Sequence, residues 1–416
     1  VTAPSSQEAQ ARRALVRLVR DSGRDVLATL ARHTGDLGLA EDAVQDAVLR
    51  ALETWPRDGV PDNPVAWLRL VARRRAVDLV RREAARRPKE EAAVEPHDDT
   101  PDDTPGAGDP WDDSRLDDDL LRLVFTCCHP SLAPTTQVAL ALRTLCGLDT
   151  AEVARALLTT EASMAKRLTR ARQKIRDAHI PYRVPADHEL PERWAAVLAT
   201  VYLVFNEGYA AGSGDALVRP ALVEEALRLA RLLVRLQPDD PDALGLLALL
   251  LLQDSRRAAR SAPDGRPLLL AEQDRSRWDA ACVREGVALV GEALRRSPER
   301  PRTYVVQAAI AACHALAPSY DETDWGAVVS WYDVLLSLDD GPVVRLNRAA
   351  AVAHRDGPGA GLALMDAIGG LERYPWWHAS RAVLLRRLDR HDEAAQADRA
   401  AAALPLNQAQ KQLLQP

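Results

Sequence analysis

The chain has no apolar run long enough to cross a membrane. The longest, ALGLLALLLL from Ala243 to Leu252, spans ten residues and is broken by Gly245, against the roughly 20 that a spanning helix needs. The first ten residues, VTAPSSQEAQ, lack the basic-then-apolar layout of a secretory signal, so no membrane association and a cytoplasmic location are expected. Cysteine is scarce: the five, at 127, 128, 146, 282 and 313, form no framework spacing, as in a reducing compartment. Three of the metal-capable residues are consecutive, Cys127, Cys128 and His129. Neighbours on a helix point about 100° apart, and no second CxxC or HxxxH cluster is present to complete four ligands. Packing is therefore the better reading of that triplet, and neither a metal nor a cofactor is expected. GxSxG, HExxH, phosphate-loop and dinucleotide fingerprints are also missing, so an enzyme is not expected.

What is present is length, helix periodicity and uneven charge. At 416 residues the chain exceeds the usual domain size of about 100 to 200, and several domains are expected. Apolar residues recur at spacings of three and four with no convincing strand alternation, which predicts an all-α fold. The net charge of -6 conceals asymmetry: Arg73 to Lys89 carry eight basic residues against two acids, and Glu90 to Asp119 carry thirteen acids against Arg115. The second stretch, rich in Pro, Asp, Thr and Gly, has little to bury and reads as a linker over 87–117.

Before the linker, 11–86 reads as three or four helices. In LAEDAVQDAVLRALETW, Ala40, Val44, Ala47, Val48, Ala51 and Trp55 line one face, leaving Asp42, Asp46 and Glu53 opposite. PRDGVPDNP breaks that helix, and Asn63-Pro64 opens the next with proline in its first turn. After the linker, 118–180 forms a second unit. Asp149 or Thr150 caps a short helix, Thr159-Thr160 interrupts and recaps, and a longer helix starts near Glu161. On that helix Met164, Leu168, Ala171 and Ile175 form an inward stripe, with Ala162, Lys166, Thr169, Arg170 and Gln173 outward. This is the pattern of a helix-turn-helix whose second helix suits a major groove. From 185 to 416 helix pairs continue. The turn in HRDGPGAGLAL is answered 34 residues later by LDRHDEAAQAD, with Ala360 matching Ala394, and 34 is the period of tetratricopeptide (TPR) repeats. The region reads as TPR-like.

Taken together, AEDAVQDAVLRALETWPRDGVPDNPVAWLRLVARRRAVDLVRR resembles region 2 of the extracytoplasmic-function (ECF) sigma factors of the sigma-70 family, and VFTCCHPSLAPTTQVALALRTLCGLDTAEVARALLTTEASMAKRLTRARQKI resembles their region 4. TCCHP, VFNEGYAAGSG, QDRSRWD, QAAIAACHA, TDW and LNRAAAVA are similar to the subgroup with a fused C-terminal TPR-like extension. The long acidic linker departs from that pattern. The resemblance implies a transcription-initiation factor whose partners are core RNA polymerase, through the β′ clamp and the β flap, and promoter DNA. It places Asp42, Gln45 and Asp46 against the β′ clamp helices. Asp62, Asn63, Arg73, Arg74, Arg81 and Arg82 fall on the surface that recognises and melts the -10 element. Thr160, Ser163, Lys166, Arg167 and Arg170 fall on the -35 surface. Within the extension, Asn206, Glu207, Tyr209, Asp274 and Arg275 are candidates for a ligand site, although buried polar groups between helices usually satisfy one another. Six of the nine tryptophans, at 194, 278, 325, 331, 376 and 377, suggest a surface for a protein partner. The rival reading is a helix-turn-helix regulator with a ligand-sensing helical domain, which leaves the first helical unit without a role.

Overall fold

In the computed structural model every regular element among the described residues is helical, apart from one isolated bridge between Ser261 and Pro267. The residues described are 6–90, 116–157, 159–178, 180, 182–186, 188–209, 219–263, 266–404 and 411. Most of the acidic linker, 91–115, lies outside them. The chain divides into two compact units, Val1–Thr200 and Val201–Pro416. The boundary falls within a helix that begins at Leu190.

The first unit opens with α1 (Ser6–Thr34), α2 (Leu37–Asp58) and α3 (Pro64–Glu90). Asp36 caps α2, its Oδ1 accepting from the N–H groups of Gly38 and Leu39 at 2.6 and 3.1 Å. The helix carries Pro56 inside it and runs past the predicted break at Trp55. It ends at Gly59, whose φ of 87° lets its N–H reach the Trp55 carbonyl at 3.1 Å. The core of the three helices is formed by Val26, Leu30, Ala40, Ala47, Ala51, Trp55, Leu68 and Ala72, all buried. Small residues at 40, 43, 47 and 51 keep one face of α2 narrow, which permits close helix approach.

After the linker come α4 (Leu116–Cys127), α5 (Pro134–Thr144), α6 (Thr150–Ala156) and α7 (Glu161–Asp177). Asp149 and Glu152 form a reciprocal capping box on α6, at 2.7 and 2.8 Å. Thr160 caps α7 through the Ser163 N–H at 3.2 Å. Met164, Leu168, Ala171 and Ile175 are buried as expected. Cys127 and Cys128 end α4 with no exposed surface, and the chain leaves the helix at His129-Pro130. Burial pushes both thiols up, Cys128 to about 12. Among the described residues no cluster of three metal-capable side chains exists.

These two helical groups pack on each other inside the first unit. Arg32 of α1 pairs with the buried Asp119 of α4 at 2.9 Å. Tyr182 places its hydroxyl at 3.1 and 3.0 Å from the carbonyls of Ala28 and Asp119. Glu41 of α2, itself buried, forms an ion pair with Arg172 of α7 and accepts from the Thr144 hydroxyl at 3.5 Å.

The second unit is a succession of antiparallel neighbours. It begins with the end of α8 (Leu190–Tyr209), then α9 (Pro220–Leu236), α10 (Pro241–Asp254), α11 (Ala280–Arg296), α12 (Thr303–Leu316), α13 (Trp325–Leu338), α14 (Pro342–Arg355), α15 (Pro358–Asp366), α16 (Pro375–Arg387) and α17 (His391–Ala402). Three single-turn 3₁₀ segments, at 257–259, 270–272 and 275–277, lie between α10 and α11. The α10 run that carries the longest apolar stretch is buried on every side, which explains its lack of a polar face. Gly245 is required there: a Cβ would sit 2.6 Å from the Val305 nitrogen of α12.

The repeat register is 33, not 34. Asp333 of α13 pairs with Arg348 of α14, and Asp366 of α15 pairs with Arg381 of α16, each at 2.6 Å and each 33 residues from its counterpart. Ala394 is buried, Ala360 is exposed, and the buried equivalent is Gly361, whose Cβ would meet that of Ala353 at 2.3 Å. Matching alanine to alanine shifted the alignment by one because the packing position in α15 is glycine.

Candidate nucleic-acid interface

α7 separates its two sides cleanly. With the four apolar residues turned inward, Lys166, Thr169, Arg170 and Gln173 are exposed and Arg167 is half-buried. Lys166 and Arg170 form no ion pair among the described residues, whereas Gln173 donates to Asp177 at 2.6 Å. Thr160 and Ser163 share a hydrogen bond of 2.9 Å at the helix start, where the first-turn N–H groups favour negative charge. The face is thus cationic and exposed, and a helix of 17 residues is long enough to lie in a major groove.

α3 presents a second such face. Arg73, Arg74, Arg81 and Arg82 are exposed, interleaved with the exposed Leu70 (48 %), Val77 (42 %) and Val80 (40 %). Apolar side chains at this exposure, among cations, are unusual on a helix that faces only water. Asp62 and Asn63 are exposed at the head of α3, and Asn63 Oδ1 is occupied as a cap by the Ala66 N–H at 3.0 Å. Asn63 thus starts the helix, as its place before Pro64 predicts. A cleft of ≈ 520 Å³ opens instead on the inner side of that loop, lined by Arg50, Trp55, Gly59, Pro61, Trp67 and Arg74, among others. Its volume is that of a small-molecule pocket. Trp55 and Trp67 meet edge to face, ring centroids 5.4 Å apart, and the buried Trp55 Nε1 has no hydrogen-bond acceptor. Trp55 is buried, as its place on the apolar face of α2 predicts; no residue-level signal reveals that its indole also lines a cleft.

On α2 the exposed residues Asp42, Gln45, Leu49 and Leu52 recur at helical spacing on one face, the two leucines 56 % and 42 % exposed. Asp46 is not with them: it is half-buried in an ion pair with Arg75 of α3. The expected acidic trio is thus an acidic and apolar stripe with one acid withdrawn.

The extension candidates divide. Tyr209 stacks on Phe205 with centroids 5.3 Å apart, and its hydroxyl accepts from Arg256 Nη2 at 2.7 Å. Glu207 pairs with Arg219 at 3.3 Å, and Asn206 is half-buried. Asp274 is exposed and caps its own 3₁₀ turn through Ser276, so it stands apart from Arg275, whose guanidinium lies 4.3 Å over the Trp278 ring. Arg256, which joins Tyr209 to that ring, was not singled out by sequence. The tryptophans are largely spent on packing. Trp194 belongs to the first unit and stacks on Phe125, Trp278 is buried, and Trp325 stacks on His354 at 4.1 Å.

Sequence comparison also divides the first unit in two. The family model for sigma-70 region 2 matches residues 18–86, and that for sigma-70 region 4 matches 122–175. The chain belongs to the sigma-70 family, as an ECF sigma factor with a C-terminal extension. A family of unknown function, DUF6596, matches residues 193–294. An uncharacterized protein of Rhizobium meliloti, R00370, is 43% identical over 92% of this chain and 89% of its own length. The probable ECF RNA polymerase sigma factor SigI of two Mycobacterium tuberculosis strains is 33% identical over 39% of this chain and 54% of its own length. The extension thus recurs in the Rhizobium relative, while the SigI match spans 164 residues. No described helix is long and apolar enough to cross a membrane.

Proposed function

We propose that this sigma factor directs core RNA polymerase to promoters by reading the -35 element with α7 and opening the -10 element with α3 and the cleft beside it. The observation that carries the reading is the division of α7: four apolar residues inward, with Lys166 and Arg170 outward and unpaired. Arg170 and Lys166 supply base-edge or phosphate contacts in the major groove, and Thr160 and Ser163 lie where a phosphate meets the helix start. On α3, Arg73, Arg74, Arg81 and Arg82 hold the backbone in a salt-sensitive, sequence-blind way. The cleft under the 59–61 loop, with the free Trp55 N–H and the Arg74 rim, takes a base extruded from the stack. Asp62 and Asn63 follow the lining residue Pro61 in the chain and act through the loop they shape. The stripe of Asp42, Gln45, Leu49 and Leu52 suits a basic, partly apolar partner surface, namely the β′ clamp, where opposite charge orients docking. The extension regulates this activity or receives a partner.

This reading has a geometric requirement. Elements centred near -10 and -35 lie about 25 base pairs apart, about 85 Å of duplex at about 3.4 Å per step. Glu41 and Arg172 hold α2 against α7, so engagement of both elements needs that contact to part. The test is run-off transcription by core polymerase with the full chain, with permanganate probing of thymines near the start site. A promoter-dependent transcript and unpaired thymines are expected; duplex that stays closed with active core overturns the reading. Alanine at Arg170 should cost about 1–3 kcal/mol and relax preference at one base pair, whereas a phosphate contact weakens all promoters alike. A Glu41→Cys and Arg172→Cys pair, oxidised, should stop transcription, and reduction should restore it.

A further inference from the structure

The second unit contains a knot of cationic and aromatic side chains that the transcriptional reading does not use. Arg256 lies just beyond α10, Arg275 in the 275–277 turn, and His314 in the last turn of α12. Both guanidinium carbons lie over the Trp278 ring, at 5.8 and 4.3 Å from its centre. Arg256 Nη2 donates to Tyr209 and to Gln253, at 2.7 and 2.5 Å, but its Nε has no acceptor. Arg275 Nη1 donates to the His314 carbonyl and, at 3.3 Å, to that of Ala317, while its Nε and Nη2 have none. Trp278 Nε1 and His314 Nδ1 are likewise buried without a partner. Five buried nitrogens on four residues therefore lack partners, and four of them can only donate. Gln273 Oε1, an acceptor, is unpartnered too, but one amide oxygen cannot serve them all.

Among the described residues no carboxylate compensates. Asp254 is engaged by Arg257 through two hydrogen bonds, at 2.7 and 2.9 Å, and Asp274 is turned to Ser276. The charges bearing most on His314 are Arg256, Arg275 and His354, which together with burial hold it down at about 4. Holding two cations side by side with buried, unsatisfied donors costs stability. The same unit pairs its other arginines with acids repeatedly, so the exception is local. Arg256, Arg275 and His314 are each half-buried, so the cluster lies close to the surface although the five unpartnered nitrogens themselves are covered.

We propose that Arg256, Arg275, Trp278 and His314 form a binding site for a small phosphate-bearing ligand, either the free ion or a phosphate monoester, held by the two guanidinium groups. A dianion matches the two fixed positive charges, and the planar N–H forks match its oxygens. Neutral His314 and the Trp278 N–H add uncharged donors, so the site discriminates by hydrogen bonding as well as by charge.

The test uses the full chain and two probes, inorganic phosphate and phenyl phosphate, against chloride at equal ionic strength, read by calorimetric titration and by Trp fluorescence. Saturable binding at or below about 10 mM is expected, with affinity reduced at least about tenfold in Arg256→Gln and in Arg275→Gln. Arg348→Gln, on a surface pair of the same unit, should bind as the parent does. Because Arg275 also holds two carbonyls at the end of α12, far-UV circular dichroism must show the variant folded; Arg256→Gln supplies the independent case. Tighter binding of phenyl phosphate assigns a monoester, and equal binding assigns the free ion. No saturable binding of either probe, or unchanged affinity in both arginine variants, overturns the proposal.

Discussion

The two units of this sigma factor use arginine in opposite ways. In the first, Lys166 and Arg170 of α7 and Arg73, Arg74, Arg81 and Arg82 of α3 stand exposed, with no ion pair to any of them among the described residues. In the second, arginines recur in register with acids on the neighbouring helix, as Asp333–Arg348 and Asp366–Arg381 do. Exposed pairs of this kind contribute little stability each, so their regular spacing sets the alignment of successive helices more than it strengthens them. A surface intended for a polyanion cannot be paid off in advance by its own carboxylates, since each would have to be displaced on binding. The contrast teaches that unpaired arginine is the informative state, and it sets the half-buried Arg256 and Arg275 cluster against the many arginines of the same unit that meet an acid.

The contrast can be broken at several strengths. Gly245→Leu should be the most damaging change, because the new side chain meets the α12 backbone; about 3 kcal/mol or more should be lost from the second unit alone, seen as a lower transition in calorimetry while the first unit's transition stays put. Arg172→Ala leaves the carboxylate of Glu41 buried without its partner, and about 3 kcal/mol should vanish from the first unit in urea titration. If that unit is unchanged, the α2–α7 contact is not a stabilising one.

Acid should act on the second unit through His314. Its folded-state value, about 4, lies below the ordinary value near 6.5 for an unfolded histidine, so the unfolded chain binds the proton more tightly. The contribution is fully present above about pH 6.5 and falls away as the pH drops toward 4, amounting to about 2–3 kcal/mol. His314→Gln should flatten that slope; a slope retained in the variant would assign the acid sensitivity elsewhere. The smallest effect is expected from Arg348→Ala, under about 1 kcal/mol, and a larger loss would mean the repeated ion pairs hold the array together after all.

How much of this was legible depends on distance along the chain. The caps Asp149 and Thr160, the inward stripe of α7, and the burial of Cys127 and Cys128 were readable because each rests on spacing within a few residues. Asn63 was correctly placed at the head of α3, but its side-chain oxygen caps the helix, a choice that local sequence permits and does not decide. Asp46 looked like a surface acid until Arg75, 29 residues on, took it inward. The 34-residue register slipped by one because helix packing at position 361 needs the absence of a side chain, and sequence matching favours alanine with alanine.

By itself the amino-acid order determined the helices and their buried faces, which follow from periodicity and capping over short windows, and the family, which follows from its motifs. Tertiary structure alone decided that Glu41 meets Arg172, that a cleft opens beneath the 59–61 loop, and that Arg256, Arg275 and His314 converge on one indole. Those outcomes join residues tens to more than a hundred positions apart, and which distant side chains share a space is settled only when whole helices compete to bury their apolar faces against one another.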